Sequence, residues 1–120
     1  PYIFSVSRLI PYKRMDLLIE AMRHVASKNI RAVIGGTGSE LPRLREMVTS
    51  YGLENRVTLT GALSDAEVFE HLARCRAVFF APENEDYGLV AVEAMRSHKT
   101  VITCKDSGGP TELVKDGKNG

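Results

Sequence analysis

What this chain has little of narrows its chemistry first. Its formal net charge is +1, too small for general attraction to nucleic acid or anionic lipid, and it has no arginine-rich run or interleaved aromatics that would build a local nucleic-acid surface. Any anion it binds must be held by a few placed groups. The two cysteines, Cys75 and Cys104, are isolated, without the spacing of a metal knuckle or redox pair, and read as buried cytosolic thiols. No His, Cys, Asp and Glu cluster has metal-ligand spacing, so no metal is expected. No apolar stretch reaches the roughly 18 residues of a membrane span, and the first residues lack the charged and apolar segments of a signal peptide. Without a linker, repeat or low-complexity tract, 120 residues are long enough to bury a core and are expected to form one domain or part of one. Because Pro1 opens almost directly on a strand, the chain is expected to be a piece of a longer protein.

What is present alternates. Apolar runs and helical periodicities follow one another throughout, which argues for a parallel sheet with crossover helices on both faces, an α/β, Rossmann-like domain. Strands are expected over residues 2–6, 32–34, 57–60, 77–80 and 101–103, the fourth being the most apolar and therefore central. Leu17, Leu18, Ala21, Met22 and Val25 predict the stripe of a first helix reaching residue 27. Leu41, Leu44, Met47, Val48 and Tyr51 predict a second, with Pro42 in its first turn and Gly52 as its stop. Ser64 and Glu67 form a capping box that starts a third helix, which should reach Arg74. Residues 110–114 suggest a short last helix. In such a sheet the loops after every strand emerge at one carboxyl edge, where open α/β folds bind ligands.

The most informative stretch is Pro82-Glu83-Asn84-Glu85-Asp86-Tyr87-Gly88-Leu89-Val90-Ala91-Val92-Glu93-Ala94-Met95. Pro82, Asn84 and Gly88 discourage regular structure, whereas residues 89–95 are good helix formers, so Glu85 belongs on a loop and Glu93 one turn inside a helix. Helical side chains tilt toward the N-terminus, so Glu93 should point back to the helix start, where the N–H groups of Gly88, Leu89 and Val90 make an anion site. Two acids flanking a phosphate site suit a nucleotide sugar, with hydroxyls at both ends and a diphosphate between. Neighbouring Glu83 and Asp86 would raise the pKa values of the group.

With Asp106-Ser107-Gly108-Gly109-Pro110-Thr111-Glu112-Leu113-Val114, this stretch resembles the C-terminal half of retaining glycosyltransferases of the GT-B fold, family 4 type. The resemblance covers the whole chain. It includes Ser7-Arg8-Leu9, the block from Lys13-Arg14 to Glu20-Ala21, Gly36-Thr37-Gly38 and Val57-Thr58-Leu59-Thr60-Gly61. His98 and Thr100 stand where the family usually has glycine and proline. The resemblance implies a donor-binding domain truncated at both ends, inactive alone, whose acceptor site lies on an absent N-terminal domain. It implies a nucleotide diphosphate sugar as donor, a carbohydrate or lipid-linked acceptor, no cofactor, and a cytoplasmic parent that can associate peripherally with a membrane's cytosolic face.

By the same resemblance Arg8 and Lys13 hold the donor diphosphate, Glu85 contacts the transferred sugar and Glu93 the ribose. Each has a plainer reading. Arg8 and Lys13 could be a solvated basic loop, which fits Arg14 better, and the two glutamates could be ordinary surface acids. Gly36 either lets backbone pass close to the donor or simply makes a turn, and Leu63 is a candidate wall for the base. His24, His71 and Glu67 read as surface residues. A dinucleotide fingerprint at Gly36-Thr37-Gly38 fails because Leu41 replaces its third glycine. The rival function is a non-catalytic nucleotide or sugar-phosphate binding module.

Overall fold

The computed structural model describes residues 1–80 and 99–103. Among these, five strands form one parallel sheet: β1 (Tyr2–Val6), β2 (Arg31–Gly35), β3 (Val57–Gly61), β4 (Ala77–Phe79) and β5 (Thr100–Ile102), in the order β3-β2-β1-β4-β5. The helices are α1 (Met15–Met22), α2 (Leu41–Ser50) and α3 (Asp65–Arg74). Alternation along each strand splits the interior into two cores. Ala32 and Ile34 of β2 face Leu18, Ile19, Leu44 and Val48 of α1 and α2, whereas Phe4 of β1 and Val78 of β4 face Leu72 of α3. Helices therefore cover both faces, as expected.

Local chemistry accounts for most boundaries. The Ser64 hydroxyl accepts from the Glu67 N–H at 3.2 Å while the Glu67 carboxylate accepts from the Ser64 N–H at 3.0 Å, and α3 starts there. That hydrogen bond holds the Glu67 carboxyl below the ordinary glutamate value. Gly52 follows α2 with φ 67°, ending it as predicted. Arg43 ties α2 to α1 through Asp16 at 3.1 Å.

Three expectations require correction. The first helix stops at Met22, not residue 27, because the Arg56 guanidinium donates to the carbonyls of Met22 (3.3 Å), Ser27 (3.0 Å) and Ile30 (3.4 Å) and winds the chain around itself. Its buried stripe is Met15, Leu18, Ile19 and Met22, so Leu17 and Ala21 face outward. Second, β1 is the middle strand of the five and β4 stands beside it. Third, His71 is half-buried: its ring stacks on Phe4 at 4.7 Å, and its Nδ1 lies 2.8 Å from the Tyr2 hydroxyl. His24 and Glu67 are exposed, as expected. The expected helices around Glu93 and over residues 110–114, and Cys104, lie outside the described residues; Cys75 is buried.

Candidate functional site

The strand order reverses direction between β1 and β4. From β1 the chain proceeds outward to β2 and β3, and α3 then carries it back across the sheet to β4 and β5. Ligands of open α/β sheets bind beyond the carboxyl ends of the strands at such a switch point. Here the opening has a measurable start. The β1–β4 pairing runs through Ile3↔Ala77 and Phe4↔Val78 and ends, whereas β1 stays with β2 to Val6↔Gly35 and β4 stays with β5 to Phe79↔Ile102. The two halves of the sheet part after Phe4 and Val78.

The β1 half is shaped by backbone fit. After Val6, the loop carrying Arg8 is pressed against the glycine turn after β2: the Leu9 N–H donates to the Thr37 carbonyl at 2.8 Å and the Glu40 N–H to the Leu9 carbonyl at 2.8 Å. Gly36 (φ 116°) and Gly38 (φ 156°) permit this approach, since a Cβ on either would be driven into the carbonyl oxygen of Ser7 or Leu9 respectively. Of the two readings left open for Gly36, the turn is thus tighter than a solvent-facing one, because it fixes the Arg8 loop from beneath. Leu63 leans over Gly35 from the loop after β3, at the same edge.

Arg8 is exposed on this loop. Lys13 closes a short 3₁₀ turn, Pro11–Lys13, and Arg14 then takes a left-handed conformation, φ 54°, as the joint to α1. Arg14 is half-buried, so the solvated reading does not describe it. Lys13 lies at the mouth of the opening, with its Nζ 5.7 Å from the centroid of the Phe80 ring. Phe80 is the residue at which the chain leaves β4, five positions before Glu85 in sequence. Arg8, Lys13, Gly36 and Leu63 are therefore gathered at one rim. Glu85, Gly88, Leu89, Val90 and Glu93 lie outside the described residues.

Two contributors were missed in the sequence. Ser5, fully buried in β1, donates to the Phe79 carbonyl at 2.7 Å, and its hydroxyl lies 3.1 Å from the Met15 sulfur. Its visible signal was a hydroxyl inside an otherwise apolar strand. Phe80 read only as the end of an apolar run; its packing under Lys13 has no local signature.

Comparison with known proteins agrees in fold and family. The family described as Glycosyl transferases group 1 matches residues 1–120. The chain is 34% identical to HepE of Anabaena, whose crystal structure contains UDP; the two superpose with a TM-score of 0.90 over 99% of this chain and 33% of that one. It is 32% identical over 117 residues to the poly(ribitol-phosphate) alpha-N-acetylglucosaminyltransferase of Staphylococcus aureus (strain COL), covering 96% of this chain and 23% of that protein. It is 32% identical over 130 residues to the GDP-mannose-dependent alpha-(1-6)-phosphatidylinositol monomannoside mannosyltransferase of Mycolicibacterium smegmatis, covering 100% and 34%. The chain thus spans between about a quarter and a third of the length of these proteins.

Proposed function

Since the chain belongs to the glycosyl transferases group 1 family and has the Rossmann-like half of a GT-B fold, we propose that it binds the nucleotide diphosphate sugar of a retaining hexosyltransferase at the rim between β1 and β4. The observation that carries this reading is the Lys13 ammonium standing over Phe80, where the two halves of the sheet part and the chain sets out toward Glu85. A cation at a switch point matches a diphosphate in charge and position.

In this reading Lys13 and Arg8 bind the diphosphate, Arg8 as a planar fork and Lys13 as a point charge. The bond from the sugar's anomeric carbon to the phosphate oxygen breaks, and a bond to the acceptor hydroxyl forms on the same face. The acceptor's proton passes to the departing phosphate. Charge therefore grows on the nucleoside diphosphate in the transition state, where fixed cations lower the barrier. Glu85 is assigned to the sugar, Glu93 to the ribose, the N–H groups of Gly88, Leu89 and Val90 to the phosphates, and Leu63 to the base. No metal is assigned, because the two cations take that part. The acceptor is assigned to a further domain of a longer protein that works in the cytoplasm or at its membrane face. The base stays open between uracil and guanine, since UDP accompanies one relative's structure and GDP-mannose is named for another.

Titration calorimetry of the 120-residue chain with UDP-, GDP- and ADP-sugars and NAD tests this. One nucleotide sugar should bind, with affinity reduced about tenfold or more in Lys13→Ala, the loss of a charged hydrogen bond. Binding of NAD with no response to any nucleotide sugar would end the assignment.

A further inference from the structure

The peptide unit joining Phe79 to Phe80 is clamped from both sides. Its carbonyl accepts the Ser5 hydroxyl at 2.7 Å, from β1, and its N–H donates to the Ile102 carbonyl at 2.9 Å, on β5. The first bond is made where the β1–β4 ladder has already ended, so a side chain takes over from main-chain pairing. A buried hydroxyl is costly unless bonded, and Ser5 is the one buried polar residue identified within the described core. The bond resolves two problems together: it satisfies the hydroxyl and gives the Phe79 carbonyl a donor on the side where β1 departs.

Clamping the peptide plane fixes the direction in which the next side chain leaves the strand, and that side chain is Phe80. Its ring is 5% exposed and carries the Lys13 ammonium at 5.7 Å, within the roughly 6 Å over which a ring face attracts a cation. We propose that Phe80 is a positioning residue for Lys13, oriented by the Ser5 hydroxyl on the Phe79 carbonyl, so that the ammonium is set over the switch-point opening before a donor arrives. The consequence for affinity rests on the reading of Lys13 as a diphosphate contact; the positioning itself does not. Preorganisation is the expected gain, since the ring restricts a flexible four-carbon stem whose rotamer freedom is costly to lose on binding.

The test uses the full 120-residue chain with Phe80→Leu, Phe80→Tyr and Ser5→Ala, and needs two readouts. The first is ligand-free: NMR of the Lys13 side-chain methylenes, whose protons a ring beneath them moves upfield. The second is the affinity for UDP and GDP by calorimetry. Phe80→Leu, which keeps an apolar side chain in the pocket, should abolish the upfield shift and weaken binding about three- to tenfold; Phe80→Tyr should keep both. Ser5→Ala should reduce both to an intermediate degree. Lys13 shifts identical in wild type and Phe80→Leu would overturn the proposal, as would a lost shift with unchanged affinity. A wild-type chain that carries the shift but binds neither diphosphate would instead overturn the donor reading, together with the affinity half of this inference, and leave the Lys13–Phe80 contact established.

Discussion

The two ends of the sheet are built differently. At the amino end, a groove of about 620 Å³ is lined by residues including Tyr2, Lys28, Arg31 and Thr58, and the chain nearby is gathered by side-chain ties, above all Arg56 on three carbonyls. At the carboxyl end, main chain is fitted to main chain: Gly36 and Gly38 lie under the Ser7 and Leu9 carbonyls, and a clamped peptide aims Phe80 at Lys13. Basic side chains alone do not separate the two ends, since Lys28 and Arg31 line the amino groove while Arg8 and Lys13 stand at the other rim. What distinguishes the other rim is that several backbone segments are held against one another beside two cations, the arrangement on which the proposed donor site rests.

The largest effect that sharpens this contrast is expected at Gly36. A methyl there meets backbone and a φ of 116°, so Gly36→Ala should cost about 3 kcal/mol or more in urea unfolding, whereas Gly52→Ala, left-handed but with open space around it, should cost about 1 kcal/mol. Equal costs would mean that the glycine turn is not tightly fitted. Next, Arg56→Lys removes the fork that gathers the α1 tail and should destabilise by about 2 kcal/mol while leaving nucleotide affinity unchanged; a drop in affinity would show the amino end taking part in binding. Third, Arg31→Ala at the amino groove should leave nucleotide affinity within about twofold, set against the tenfold loss expected of Lys13→Ala. A comparable loss in both would erase the distinction.

The smallest effect lies in α3. Ser64→Ala should cost about 1 kcal/mol. Because Glu67 titrates below its ordinary value in the folded chain, its contribution is present above the unfolded glutamate pKa, about 4.3, and is lost as pH falls through the folded value. The stability difference between wild type and Glu67→Ala, which removes the acceptor of the Ser64 N–H, should therefore shrink as pH is lowered below about 4, read by thermal melts; a constant difference would show that the carboxylate half of the box is idle.

Elements whose boundaries are set locally were legible in the sequence. The apolar run gave β1 at residues 2–6, and the Ser64–Glu67 box and the helical stripe gave α3 at residues 65–74. The end of α1 was not legible, because its stop is an arginine more than thirty residues further on. His71 read as a surface residue for the same reason: Tyr2 and Phe4, its partners, are nearly seventy positions away. At the site, the convergence of Arg8, Lys13, Gly36 and Leu63 on one edge followed from parallel topology. The link from Ser5 through Phe79 and Phe80 to Lys13 could not be read, since it depends on which strands part and where. Glu85 and Glu93, the sequence's most distinctive pair, lie outside the described residues, so their roles rest on family membership.

The most direct test of where the donor binds is an amide NMR titration of the isotopically labelled chain with the nucleotide sugar that binds. The expected shifts fall on residues 7–10, 12 and 13, on Gly35, Gly36 and Thr37, and on Phe80, with Lys28, Asn29 and Arg31 unmoved. Shifts confined to Tyr2, Lys28, Asn29 and Arg31 would place the ligand in the amino groove and contradict the account.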